Sequence, residues 1–182
     1  GLGPGNDLTA TNISFGEGKT SAEFMLGGTS LGVFEISTMG EFNLRNFLGS
    51  TAIALDEGLS ADQIRAAAKE FRTVRKRQEL VGEVHGIPVY DDFAHHPTAV
   101  KETLAAMRRQ FPDRRIWAIF EAKSNTSRRR IFQDQYPLGL KIADLVILSK
   151  PWKKDESLPA EELLDIDQLR DSIEALGPKT LL

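Results

Sequence analysis

The chain has 182 residues, a formal net charge of −3, 41% hydrophobic and 27% charged residues, and no cysteine. That length allows one large domain or one and a half small ones. No apolar run is long enough to span a bilayer and no basic-then-apolar leader opens the chain. The lack of cysteine excludes disulfides, thiol catalysis and thiolate metal sites, so a cytoplasmic protein is expected.

Residues 1–40 read as β-rich. The short runs ATNISF, AEFML and LGVFEIS are separated by the Gly-rich turns GEGKT and GGTS, and no helical period appears. Asn43–Asp56 reads as a helix with Leu44, Phe47, Leu48, Ile53 and Leu55 as its main apolar residues, ended by Gly58. Ser60-Ala-Asp-Gln63 is a capping-box pattern that opens a second helix running to about Phe71. The short basic segment Arg72–Gln78 reads as a linker. Beyond it, Glu79–His85 and Ile87–Tyr90 look like strands joined at His85-Gly86, the second read as a buried parallel strand. Pro97–Gln110 is a predicted helix with Val100, Leu104, Met107 and Phe111 on one stripe, stopped by Pro112. Arg115–Phe120, ending in Glu121, and Asp144–Leu148 are predicted strands; Ile166–Leu176 is a predicted helix closed by Gly177-Pro178. Alternating strands and helices imply an α/β layer with a parallel sheet. No internal repeat or low-complexity segment is found.

Charge is uneven. Residues 101–130 hold nine Lys/Arg against three Asp/Glu, and residues 151–182 hold four against eight. The basic segment can supply a positive field for an anionic ligand, or it can be a solvated helix face and loop. Aromatic residues are not interleaved with these charges, which argues against a nucleic-acid surface.

The most informative stretch is Val89–Val100, VYDDFAHHPTAV. An apolar run ends in two carboxylates, Asp91 and Asp92. His95 and His96 follow, then Pro97, suited to a first helical position because its missing N–H has no partner there anyway. Ligands of open parallel sheets bind at the strand carboxyl edge, and the N–H groups of a helix start there can hold an anion. The same four side chains could ligate a metal, but adjacent histidines seldom point at one ion, so no dedicated metal site is expected. The structural alternative is that one histidine caps the helix and the other packs on Phe93.

GEGKT at Gly16–Thr20 matches only the end of the phosphate-loop pattern G-x-x-x-x-G-K-[ST]. Ile13 stands where the first glycine belongs, and a strand rather than a helix is predicted to follow, so a hairpin turn is expected.

DDFAHHPTAV resembles the start of the C-terminal domain of the Mur ligases, ATP-dependent enzymes that join amino acids or peptides to a UDP-linked muramic acid. Phe93 and Ala99, together with KSNTSR at Lys123–Arg128, look most like the muropeptide-recycling branch of that family. The resemblance covers about residues 20–180. It implies residues 1–77 as the C-terminal part of the central ATP-binding domain plus linker, and residues 78–182 as a Rossmann-like C-terminal domain, incomplete at its end. The Gly-Pro-rich ends read as truncation points, and the chain alone is expected to be inactive because the family's phosphate loop lies far upstream.

The resemblance also implies roles. Asn43 and Asn46 fall in a pattern like the family's G-x-H-N-x-x-N and would contact adenine, although Phe42 stands where the family usually has His; the alternative is that Asn43 caps its helix. Arg77 and Asp92 would reach the ATP ribose. His95 and His96 would be catalytic. Lys123, Ser124, Asn125 and Arg128 would bind the incoming amine substrate, through charge and hydrogen bonds to its carboxylates. ATP and Mg²⁺ are the implied cofactors, the ion held through ATP phosphates. The implied substrates are UDP-N-acetylmuramate and the tripeptide L-Ala-γ-D-Glu-meso-diaminopimelate, with no nucleic acid or membrane partner. L-Alanine in place of tripeptide, and a stand-alone α/β anion-binding module, are the competing readings.

Overall fold

The computed structural model describes residues 1–16, 18–150 and 159–182. Residue 17 of the GEGKT turn and residues 151–158 of the acidic segment lie outside the described residues. The chain forms two compact units, Gly1–Asp92 and Phe93–Leu182. The first unit takes in the hairpin that follows the linker.

In the first unit, β1 (Leu8–Gly16), β2 (Lys19–Leu26) and β3 (Thr29–Ile36) form an antiparallel sheet in that order. Gly27 and Gly28, with φ of 54° and 83°, make the two-residue turn between β2 and β3. Two successive positive φ values match the right-handed twist of the flanking strands, and glycine adopts them without strain. Alternate residues of the sheet point inward. Ala22, Phe24, Phe34 and Ile36 meet Leu44 and Leu48 of α1 (Glu41–Asp56) and Ile64 and Ala68 of α2 (Ala61–Glu70). The rings of Phe24 and Phe34 stack at 4.3 Å between centroids. The capping box of α2 forms as its sequence predicts: the Ser60 side chain accepts from the Gln63 N–H, and the Gln63 side chain accepts from the Ser60 N–H.

Two expectations change in this unit. Helix α1 starts at Glu41, with Gly40 at its N-cap position, so Asn43 lies inside the first turn and is not the cap. The segment Ile87–Tyr90 is not a buried parallel strand. It belongs to β5 (Ile87–Asp91), which pairs antiparallel with β4 (Glu79–Val84) in a separate two-stranded sheet. Ile87 and Val89 are 66% and 51% exposed. The reason is the connection: His85 and Gly86 form a two-residue turn with φ of 52° and 77°, and so short a link joins only antiparallel strands, since a parallel crossover needs a dozen residues or more.

The second unit is built on the parallel sheet expected from sequence. β6 (Trp117–Glu121), β7 (Leu145–Ser149) and β8 (Lys179–Leu181) run parallel in that order. Helix α3 (Pro97–Gln110) has the predicted bounds, and Val100, Leu104 and Met107 of its predicted stripe are buried. Val100 and Leu104 join Phe120, Val146 and Leu148 of the sheet, Tyr136 and Leu140 of α4 (Tyr136–Leu140), and Leu169 and Ile173 of α5 (Ile166–Glu174). Neither α4 nor β8 is among the elements expected from sequence. Gly139 lets α4 approach α3 closely, since a Cβ there would sit 3.1 Å from the Lys101 backbone.

Candidate functional site

The candidate residues fall into two groups, one in each unit. In the first unit, a chain of hydrogen bonds links α1 to the linker and to the end of the β4–β5 hairpin. Asn43 Nδ2 donates to the Met39 carbonyl at 2.8 Å and to Gln78 Oε1 at 3.2 Å. The Gln78 backbone N–H donates to Asp92 Oδ2 at 2.9 Å. Asn43 and Asp92, distant in sequence, are thus brought together through Gln78. This residue is buried and holds a left-handed φ of 48°, a conformation that costs of order 1 kcal/mol or more for a non-glycine residue. Asn46, one turn along α1, is exposed, and so is Arg77. The neighbouring Lys76 also has a positive φ, and its N–H donates to Glu79 Oε2 at 2.8 Å.

GEGKT is part of a hairpin: Gly16 pairs with Lys19 across the β1–β2 ladder. Lys19 Nζ bonds Glu35 Oε1 at 2.8 Å across the sheet, and the Thr20 hydroxyl donates to the Thr38 carbonyl at 2.7 Å. The Lys19 ammonium holds the Glu35 carboxyl below the usual carboxylate range.

In the second unit, His95 and His96 take the two structural places considered above. His96 is the N-cap of α3, its Nδ1 accepting from the Thr98 N–H at 3.3 Å. His95 packs edge-on against Phe93 at 5.1 Å between ring centroids, with Nδ1 3.0 Å from the Phe93 carbonyl. A carbonyl only accepts, so Nδ1 of His95 carries hydrogen; an N–H only donates, so Nδ1 of His96 does not. In their neutral forms the two rings therefore present opposite Nε2 faces: a lone pair on His95 and an N–H on His96. One can accept a proton or hydrogen bond where the other donates.

This turn is anchored from below by Tyr136. Its ring is fully buried and its hydroxyl donates to the His95 carbonyl at 2.6 Å. Burial pushes the phenol up to about 12, so it stays protonated and donating. Phe132 lies between them in effect, 4.8 Å from the His96 ring and 6.1 Å from the Tyr136 ring. Sequence reasoning misses both Tyr136 and Gln78. Tyr136 sits in a segment without periodicity, and nothing in a basic linker marks a buried glutamine.

The segment after β6 forms a self-bonded turn. The Ser124 hydroxyl donates to Ser127 Oγ at 2.8 Å and accepts from the Ser127 N–H at 3.0 Å. Arg128 Nη2 donates to Asn125 Oδ1 at 2.8 Å. Arg129 pairs with Glu162 at 3.7 Å, and Arg130 donates to Gln168 Oε1 at 2.9 Å. Lys123 is exposed. An open groove of about 390 Å³ is lined by Arg129, Arg130, Ile131, Glu161 and Glu162, next to this turn in sequence but not formed by it. Among the described residues, no three His, Asp or Glu converge to hold a metal ion, and no helix is long and apolar enough to cross a membrane.

A parallel sheet with a His-capped helix at its entry and a polar turn after its first strand defines an α/β unit whose candidate residues lie at element ends. The chain belongs to the Mur ligase family: the domain described as "Mur ligase, glutamate ligase domain" matches residues 76–177. It is 36% identical over 154 residues, 85% of its length, to the UDP-N-acetylmuramate–L-alanine ligase of Gloeobacter violaceus, of which it covers 33%. It is 38% identical over 161 residues, 83% of its length, to the Escherichia coli UDP-N-acetylmuramate–L-alanyl-γ-D-glutamyl-meso-2,6-diaminoheptandioate ligase, of which it covers 35%. In fold it is similar to the UDP-N-acetylmuramate–alanine ligase of Thermotoga maritima, with a TM-score of 0.77 at 21% identity, covering 96% of this chain and 36% of that one. The chain thus spans about a third of the length of these relatives.

Proposed function

We propose that this chain is part of an ATP-dependent ligase that joins L-alanine to UDP-N-acetylmuramate. In the reaction that family membership suggests, the muramoyl carboxylate attacks the γ-phosphate of ATP, the β–γ phosphoanhydride bond breaks, and an acyl phosphate and ADP result. The amine then attacks the acyl carbon and phosphate leaves. Water must be kept away from the acyl phosphate, which gives closure over the site a physical purpose.

On this reading Asn43, Asn46, Arg77 and Asp92 serve the nucleotide, and the opposite Nε2 faces of His95 and His96 serve proton and hydrogen-bond traffic near the reacting groups. Lys123 and the Ser124–Arg128 turn receive the amine substrate. Mg²⁺ would be held through the phosphates of ATP, and no step is assigned to the ion.

The similarity to L-alanine ligases carries the choice of amine. Three carboxylates on a tripeptide would call for several available cations. Here Arg129 pairs with Glu162, while Arg128 and Arg130 donate to the neutral amides of Asn125 and Gln168 and keep their charge. The single carboxylate of L-alanine needs one partner, and exposed Lys123 can supply it. The tripeptide is the second reading, favoured by the 38% identity to the Escherichia coli enzyme. The test is amide formation by the full-length protein with ATP, UDP-N-acetylmuramate and either amine. ATP-dependent product with L-alanine supports the proposal, and product with tripeptide alone replaces it by the second reading.

A further inference from the structure

The hydrogen bonds around Asn43 leave it unable to do alone what an adenine contact requires. An asparagine amide that pairs with adenine offers one N–H and one oxygen. Asn43 Nδ2 has two hydrogens, and both have acceptors inside the protein, the Met39 carbonyl and Gln78 Oε1. Its orientation follows from the Met39 contact, because the flipped amide would set two oxygens against each other. With Asn43 so placed, Gln78 must turn its oxygen toward Asn43 Nδ2. Its own Nε2 is then left buried with no hydrogen-bond partner, in a residue only 8% exposed. A buried amide donor without an acceptor is costly, and a ligand that reaches it would remove that cost. The backbone of Gln78 is also pinned, by Asp92 on its N–H.

We propose that Gln78 is a specificity-determining residue for the nucleotide: its Nε2 donates to a ring nitrogen of adenine while Asn43 Oδ1 accepts from the adjacent amino group. The donor and the acceptor of the pair come from two residues, held in register by the hydrogen bond between them. Guanine presents an oxygen where adenine has its amino group, so it would set that oxygen against Asn43 Oδ1. This inference rests on the nucleotide-binding reading given above and assigns to Gln78 the donor that Asn43 cannot spare.

The test is a titration of the ¹⁵N-labelled full-length protein with ATP, GTP and ribose 5-phosphate. It follows the side-chain amide signals of Asn43 and Gln78 and the backbone signal of Asp92, with the Gln78 pair assigned by its loss in Gln78→Leu. The expected result is a shift of the Gln78 side-chain amide with ATP, but not with GTP or ribose 5-phosphate. Gln78→Glu keeps an oxygen for Asn43 and removes the donor. It should weaken ATP binding about tenfold, the effect of losing one such hydrogen bond, while the Asn43 signals report an intact fold. If Asn43 and Asp92 move with ATP and the Gln78 side chain does not, the inference fails and the nucleotide reading stands. If no signal moves at saturating ATP, both fail. An equal response to GTP would overturn the claim of base specificity.

Discussion

Replacing Tyr136 by phenylalanine removes one oxygen and keeps the ring that packs on Phe120 and Phe132. The lost hydroxyl donates to the His95 carbonyl at 2.6 Å from a fully buried side chain. Such a bond contributes about 0.5–1.5 kcal/mol net, and a carbonyl left without its donor adds to the loss, so a cost of about 1–2 kcal/mol is expected. For a unit of this size, that lowers the thermal midpoint by roughly 4–8 °C per kcal/mol. Both tryptophans of the chain, at positions 117 and 152, follow Phe93 in sequence, so urea unfolding read by tryptophan fluorescence reports on the second unit. Tyr136→Phe should move the urea midpoint down with an unchanged slope and shift the amide signals of His95 and His96. The parent should also lose stability as pH rises from about 10, where a tyrosine of the unfolded chain ionises, toward about 12, where Tyr136 does so in the folded chain. The unfolded state releases its proton first over that window, which favours unfolding. The variant should lack this component. An unchanged urea midpoint together with an unchanged alkaline profile would refute the anchoring role of Tyr136.

Three further outcomes are expected. Asp144 accepts from the Ile116 N–H and from Arg108, which together hold its carboxyl below the usual range; its contribution is present above the unfolded-state value and lost as pH falls through the lowered one, so Asp144→Asn should destabilise the second unit at neutral pH and flatten its acid limb in unfolding curves taken from pH 7 to pH 2. Lys19→Ala should leave the ATP dependence of the full-length protein unchanged and cost no more than about 1 kcal/mol in denaturation, because Lys19 is a cross-strand ion-pair partner in a hairpin; a loss of ATP use would restore the phosphate-loop reading. Phe24→Ala, which empties the fully buried stacking partner of Phe34, should cost about 3–5 kcal/mol in urea unfolding followed by circular dichroism.

The sequence declares what depends on local pattern. The Ser60–Gln63 capping box, Pro97 behind a capping residue and the apolar stripe of α3 each rest on contacts a few residues apart, and each stands as read. The parallel pairing of β6 with β7 agrees with the overall alternation of strands and helices, although the sequence marks no helix between them. What depends on pairing partners is harder to read. Ile87–Tyr90 has the composition of a buried strand, yet the two-residue turn at His85-Gly86 commits it to an exposed hairpin. The candidate site divides in the same way. His95 and His96 are marked by their motif, but which nitrogen each exposes depends on the Phe93 carbonyl and the Thr98 N–H. Asn43 is marked by the family pattern. Its dependence on Gln78 and Asp92 comes from a left-handed linker residue that no periodicity reveals. The cluster Arg128–Arg130 reads as uniform positive charge, and only its tertiary partners show that Arg129 is paired with Glu162 while Arg128 and Arg130 donate to neutral amides.

The specificity constants of the full-length protein for L-alanine and for L-Ala-γ-D-Glu-meso-diaminopimelate, measured by phosphate release with ATP and UDP-N-acetylmuramate at saturation, test the proposed function most directly. The proposal predicts a higher value for L-alanine. A higher value for the tripeptide would contradict it.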